Sequence, residues 1–237
     1  MSVHLPALVV VVPLLAAVVV PLLGRRSPGA AHLVTLAALG FTLAASSFLL
    51  SVVVANGVWR YAFAGWAPPW GIEYVLDPLS AGMMVLVSFL ALATSIYAWS
   101  YLFASDPQRI GIFDSLYLLL VTGLLGIVAT GDLFNLYVFL EISAIAAYAL
   151  LSTGGDRATV ATFRYLLIGT VAASCYLLGV GFLYALTGTL NMADLTARLA
   201  DVDDSTAKAA GIGLIVIGLA IKAALFPFHG WQPDVYT

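Results

Sequence analysis

The chain has 237 residues, of which 62% are hydrophobic and 9% charged, where soluble domains carry about 45–50% apolar and about 25% charged residues. So few charges cannot coat a water-facing surface, and so apolar a chain is not disordered, which leaves a polytopic membrane protein. The net charge of −3 gives no basic footprint for nucleic acid, and the single cysteine, Cys175, excludes an internal disulfide or a cysteine metal cluster and reads as a small buried hydrophobe.

A bilayer crossing takes about 20 apolar residues. The first run, 4–23, ends at Gly24-Arg25-Arg26-Ser27-Pro28-Gly29. A signal peptide carries its basic residues before the apolar core; here they follow it. The run therefore reads as a retained span with the N-terminus outside. Further runs at 31–55, 77–104, 111–130, 133–152, 160–188 and 208–227 make seven spans. The chain reads as an all-α membrane protein, one transmembrane domain over 1–237. With this orientation the cytoplasmic ends hold Arg25, Arg26, Arg109, Arg157 and Arg164, and the outer loops Arg60, Arg198 and Lys208, a modest positive-inside bias.

Two connections have structure of their own. Trp59, Tyr61 and Phe63 alternate with other residues, Gly65-Trp66-Ala67-Pro68-Pro69-Trp70-Gly71 turns the chain, and Ile72, Tyr74 and Leu76 alternate again. That pattern predicts a β-hairpin whose aromatics suit the membrane–water interface. Between Leu190 and Ser205, the residues Met192, Leu195, Leu199 and Val202 recur at helical spacing, behind a capping pair of Asn191 and Asp194. A short helix along the outer surface follows.

The residues that break the apolar runs carry the chemistry. Glu141 lies near the middle of the fifth run, and Lys222 well inside the seventh. A charge at a helix centre costs about 2.5–3.5 kcal/mol on insertion scales. Three readings account for that cost: a structural ion pair, a substrate-binding pair of a small-molecule transporter, or a proton or cation path. Buried pairs often fail to offset their desolvation. A lysine whose carboxylate neighbour can move, in contrast, loads and unloads a proton.

His229 follows Lys222 by nearly two helical turns, with Pro227 between. One reading places both on one hydrated passage, with the histidine titrating near neutrality; the other makes His229 an interfacial residue at a helix end. Asp132 and Asp77 read as helix N-caps, Asp132 also as a proton-entry candidate. Arg164 reads as snorkelling toward the cytoplasm, or else as a partner of Glu141. Gly123, Gly126 and Gly131 permit close helix packing. There is no phosphate loop, no His-Glu-x-x-His and no Gly-x-Ser-x-Gly, so no cofactor, no metal site and no catalysis on a soluble substrate are expected.

The run Gly131-Asp-Leu-Phe-Asn-Leu-Tyr-Val-Phe-Leu-Glu141-Ile-Ser-Ala-Ile-Ala-Ala-Tyr148-Ala-Leu-Leu151 resembles the fifth membrane helix of the antiporter-like subunits. The run Ile221-Lys222-Ala-Ala-Leu-Phe-Pro227-Phe-His229-Gly-Trp231-Gln-Pro-Asp234-Val-Tyr236 resembles their seventh. That family includes the large subunits of Mrp-type Na+/H+ antiporters and the proton-pumping membrane subunits of complex I and of membrane-bound hydrogenases. Gly65-Trp66-Ala67-Pro68-Pro69-Trp70-Gly71-Ile72 looks closest to the D-type branch of the Mrp antiporter subunits.

The resemblance implies that Glu141 and Lys222 act as a coupled proton-translocating pair, with His229 beyond the helix break. It also implies two inverted five-helix repeats, H+ and Na+ as transported ions, other membrane subunits as partners, and the inner membrane of a bacterium or archaeon. Family members have about fourteen helices, so the chain is expected to be a split subunit completed by another polypeptide, or a partial chain. Two alternatives to an Mrp-type antiporter subunit stay open. One is a redox-driven proton-pumping subunit of a quinone oxidoreductase or hydrogenase, and the other a non-conducting structural subunit.

Overall fold

The computed structural model describes residues 4–105, 109–154 and 156–236. In chain order the elements are α1 (Leu5–Gly24), α2 (Pro28–Asn56), β1 (Trp59–Ala62), β2 (Glu73–Leu76), α3 (Pro78–Ser105), α4 (Ile110–Ala129), α5 (Leu133–Ser152), α6 (Asp156–Thr187), α7 (Met192–Asp201), α8 (Thr206–Lys222) and α9 (Trp231–Tyr236). Among the described residues, six helices, α1 to α6, are long and apolar enough to cross a membrane. The seventh apolar run forms α8, which stops after 17 residues at Lys222 rather than continuing to 227.

Short polar side chains fix where the helices begin. Ser27 accepts from Ala30 N at the start of α2, with Pro28 in the first helical position, where its missing N–H costs nothing. Asp77 and Ser80 form a reciprocal cap before α3: Ser80 N donates to Asp77 Oδ1 at 2.7 Å, and Asp77 N donates to Ser80 Oγ at 2.8 Å. The hydrogen bonds from Ser80 hold the Asp77 carboxyl below the usual carboxylate range. Asn191 Oδ1 accepts from Ala193 N and Asp194 N at the start of α7, the cap read from the sequence. Ser205 Oγ accepts from Lys208 N before α8.

The described chain groups into two compact units. The first holds residues up to Ala62 together with Glu73–Thr130; the second holds Phe63–Ile72 and the chain from Gly131 onward. In the first, α1 packs on α2 and α4, and α3 lies against α2 and α4. Val9, Val20, Leu39, Leu49, Met84, Leu118 and Leu125 are fully buried between them. The tightest contact is backbone on backbone: a Cβ added to Gly24 would lie 2.8 Å from Gly111 Cα, and one on Gly111 3.0 Å from Gly24 Cα. This glycine pair shows the close α1–α4 approach that small residues permit in membrane bundles; Gly123 and Gly126 are also buried on α4.

The hairpin strands belong to the first unit. Trp59 pairs with Leu76 and Ala62 with Glu73, antiparallel, forming the hairpin the alternation predicts. Arg60 Nη1 donates to Glu73 Oε1 at 2.9 Å across the strands. At the tip, Phe63 N donates to Ile72 O, and Ala64 takes a left-handed conformation (φ 53°). Trp66 and Trp70 stand exposed, as interfacial aromatics do.

In the second unit α6 packs most extensively against α8 and also against α5. On the apolar face of α7 Leu195 is buried and Met192 and Leu199 are half-buried. Arg198 pairs with Asp194 at 2.9 Å, one turn away. Cys175 is half-buried rather than fully enclosed.

Candidate functional site

Glu141 lies midway along α5, and Lys222 is the last residue of α8. Lys222 Nζ donates to Glu141 Oε1 at 3.0 Å. The side chains are 14% exposed for the lysine and 26% for the glutamate, so both charges are largely withdrawn from solvent. The lysine sits at a helix C-terminus, whose dipole favours a cation. Two attractions therefore act on the ammonium, and only the carboxylate is on a mobile side chain.

The helix ends at Lys222 for identifiable reasons. Ala224 adopts a left-handed conformation (φ 50°), which terminates helices as a C-terminal cap does. Pro227 follows, without an N–H to continue the ladder. The backbone groups released by the break find new partners. Ala224 N donates to Ile221 O, Leu225 N to Ala220 O, and the Trp231 indole Nε1 to Ile221 O at 3.1 Å. Broken helices inside membrane proteins persist where such groups are satisfied again.

The break alters the reading of His229. The seven-residue spacing from Lys222 implies a shared face only if one helix runs through both. Here the helix stops at Lys222, and His229 lies in a separate single turn, Phe228–Gly230. Its ring is exposed and stacks near Phe226, with centroids 5.8 Å apart. Among the described contacts, none joins it to Lys222.

Arg164 pairs away from Glu141, with its guanidinium largely exposed. Its Nη1 donates to Asp234 Oδ2 at 2.8 Å, an exposed pair. It therefore ties α6 to α9 and does not approach Glu141 in the described contacts. Asp132 is the N-cap of α5, with Asn135 N donating to Oδ1 at 2.7 Å. It is buried, in a short backbone bridge with Asn191. Burial pushes its carboxyl above the usual range, against the pull of the backbone N–H groups of Asn135 and Phe134.

An aromatic train, not singled out by the sequence, runs from Tyr148 to Trp231. Tyr148, two turns beyond Glu141 on α5, meets Tyr165 edge-on at 4.6 Å. Tyr165 stacks on Trp231 at 4.3 Å, nearly parallel. The helices make room for it: a Cβ on Gly169 would collide with the Tyr148 hydroxyl. The seven-residue step from Glu141 to Tyr148 was the available signal, since it places both on one face of α5.

With this geometry, comparison with known proteins is specific. The family described as "NADH:quinone oxidoreductase/Mrp antiporter, TM" matches residues 130–237, and "NADH-Ubiquinone oxidoreductase (complex I), chain 5 N-terminus" matches residues 68–109. The N subunit of the NADH-quinone oxidoreductase of Desulforudis audaxviator is 52% identical over 238 residues, covering 100% of this chain and 48% of its own. The D subunit of a probable K+/H+ antiporter of Rhizobium meliloti is 36% identical, covering 99% of this chain and 44% of its own. A chain of the archaeal membrane-bound sulfane sulfur reductase superposes with a TM-score of 0.91 at 32% identity, over 98% of this chain and 47% of that one. The chain spans about half the length of the relatives it matches, and it belongs to the membrane-subunit family shared by complex I and the Mrp antiporters.

Proposed function

We propose that the chain is part of an ion-translocating subunit of a multisubunit prokaryotic membrane complex, in which Glu141 and Lys222 form a proton-loading pair. The observation that carries this reading is the 3.0 Å contact between the two side chains at the end of a broken helix. With Glu141 ionised and in contact, the ammonium is stabilised. When the carboxylate moves away or is neutralised, the lysine keeps only the helix end as a counter-charge. Desolvation then favours its neutral form, and Lys222 passes a proton on. Restoring the carboxylate reloads it. His229 and Asp132 are candidates for the groups that receive or deliver the proton.

Between the branches, we favour the redox-driven one, in which electron transfer elsewhere in a respiratory complex drives the proton. The support is the identity to a quinone oxidoreductase subunit, 52% against 36% for the antiporter relative from Rhizobium meliloti. The Mrp-type cation/proton antiporter is the second reading, supported by the antiporter relatives of the D type that match over nearly the whole chain. In either case the remaining half of the subunit and other membrane subunits are required partners.

The test uses the assembled complex in sealed vesicles. Glu141→Gln and Lys222→Ala should each abolish driven proton movement while the complex still assembles. Full proton movement in an assembled Lys222→Ala complex would overturn the pair. Proton movement driven by electron donors without added Na+ supports the redox branch, and movement driven only by an imposed Na+ or K+ gradient supports the antiporter.

A further inference from the structure

The first compact unit contains its own ionisable pair, which the Glu141–Lys222 mechanism does not use. His32 Nδ1 and Asp114 Oδ2 lie 2.9 Å apart, with side chains only 6% and 1% exposed. Each is the fifth residue of its helix, α2 and α4 respectively, so each sits about 6 Å along the axis from the helix start. The Trp99 indole of α3 stacks on the imidazole, with centroids 4.6 Å apart and planes 21° from parallel.

The charge pattern around this pair is sparse. Across α1 to α4, His32 and Asp114 are the only side chains of charge-bearing type. α1 brings no titratable group; Arg25 and Arg26 follow its end and are exposed. α3 brings Tyr97, which is exposed, and Tyr101. α4 adds Tyr117, whose hydroxyl donates to Ala91 O. The strand β2, against the other end of α4, adds Glu73, paired with Arg60, and Tyr74, bridged to Thr130. Thr35 Oγ1 of α2 donates to Ala31 O. Arg109, the N-cap of α4, is exposed, and no other formal charge lies within these helices.

With Asp114 ionised, the hydrogen bond sets which ring nitrogen is basic. An ionised carboxylate can only accept, so Nδ1 donates to Asp114 and the neutral ring carries its lone pair on Nε2. Nε2 is buried and has no hydrogen-bond partner among the described residues. An imidazolium at this position lies between a carboxylate and the face of an indole, and both attract a cation. A cavity of about 200 Å³, lined by Gly29, His32, Leu33, Leu36, Ile96 and Trp99, adjoins the ring. It lies in the first turns of α2, close in the chain to the exposed arginines.

We propose that the His32–Asp114 pair is a second proton-binding site of this chain, loaded at His32 Nε2 from the aqueous side at which α2 and α4 begin. On loading, a proton from water adds to the Nε2 lone pair and no other covalent bond changes; the pair passes from net −1 to net zero. Release reverses the step. Asp114 and Trp99 position and stabilise the loaded ring.

The test is solid-state 15N NMR of histidine-labelled, lipid-reconstituted complex, titrated between about pH 5 and 8, the range in which histidine changes charge. A His32→Gln variant identifies the signal. The expected result is an Nε2 resonance that titrates within this range. In Asp114→Asn, whose amide oxygen still accepts from Nδ1–H, the midpoint should fall by about 1–3 pH units, the size of a neighbouring-charge effect. A single charge state of His32 across the whole range in the wild-type complex would overturn the proposal, and so would an unchanged midpoint in an assembled Asp114→Asn complex. The wild-type titration decides the matter even if that variant does not assemble. It is also independent of Glu141 and Lys222, so Lys222→Ala should leave it in place.

Discussion

Lys222 and Glu141 meet across 81 residues of sequence, and the lysine is the final residue of its helix. The helix end favours a cation there, and Glu141 supplies the rest of its compensation. Removing Glu141 leaves a largely buried cation with only the helix end for compensation. Breaking a fully buried pair costs about 3–5 kcal/mol; partial exposure of both groups reduces this to about 1–3 kcal/mol. Glu141→Ala should therefore destabilise the complex more than the double variant Glu141→Ala/Lys222→Ala, which leaves no orphan charge. Thermal unfolding of the detergent-solubilised complex measures both, and a double variant weaker than the single one contradicts the arrangement.

Trp231 closes the helix break through one indole hydrogen bond to Ile221 O and through its stack on Tyr165. Trp231→Phe keeps most of the stacking surface and loses the hydrogen bond. It should cost about 1 kcal/mol in stability. Its effect on proton movement should exceed that modest loss, because the hydrogen bond it removes is made to the residue next to Lys222. Parallel unfolding and vesicle assays separate the two effects.

Asp132 gives a pH dependence of defined sign. Burial raises its carboxyl above the usual range, so the folded state binds this proton more tightly than the unfolded chain does. The contribution is fully present below the ordinary carboxylate range and is lost as pH rises through the folded value. Asp132→Asn keeps an oxygen to cap α5 and cannot ionise. Stability of the wild type should therefore decline relative to Asp132→Asn across that interval. Unfolding midpoints that stay parallel with pH would contradict the assignment.

Gly24 and Gly111 allow α1 and α4 to touch backbone to backbone. Neither backbone can step aside as a flexible side chain would. Gly24→Ala should cost about 1–3 kcal/mol, the usual penalty for overpacking. Gly40→Ala, whose added Cβ meets nothing within 4 Å, is the control and should not destabilise. Thermal unfolding of the two variants side by side measures the difference.

Features encoded locally were legible in the sequence. Asp77, Asn191 and the alternation from Trp59 to Leu76 act on their own neighbours, so spacing alone placed the caps and the hairpin. Glu141 and Lys222 stood out because a charge inside an apolar run is costly wherever its partner lies. Their contact was an inference from cost, and the structure supplies the geometry. The shared face read for His229 does not form because helical periodicity does not extend past Lys222: Pro227 marked the break, and Ala224 gave no sign of its left-handed conformation. His32 and Asp114 passed unnoticed because each lies near the start of its run, where a charge looks like a terminal one. Their pairing depends on α2 and α4 meeting at equal depth, which no local pattern records.

The clasp between Trp231 and Ile221 O has a mechanical consequence. α9 is held to α6 by Arg164–Asp234 and by the Tyr165 stack, and to the end of α8 by one indole. A partner that shifts α9 by a fraction of a turn therefore tugs on Ile221, one residue from the ammonium. The helix break is thus a short lever arm between α9 and the buried charge, separate from Glu141.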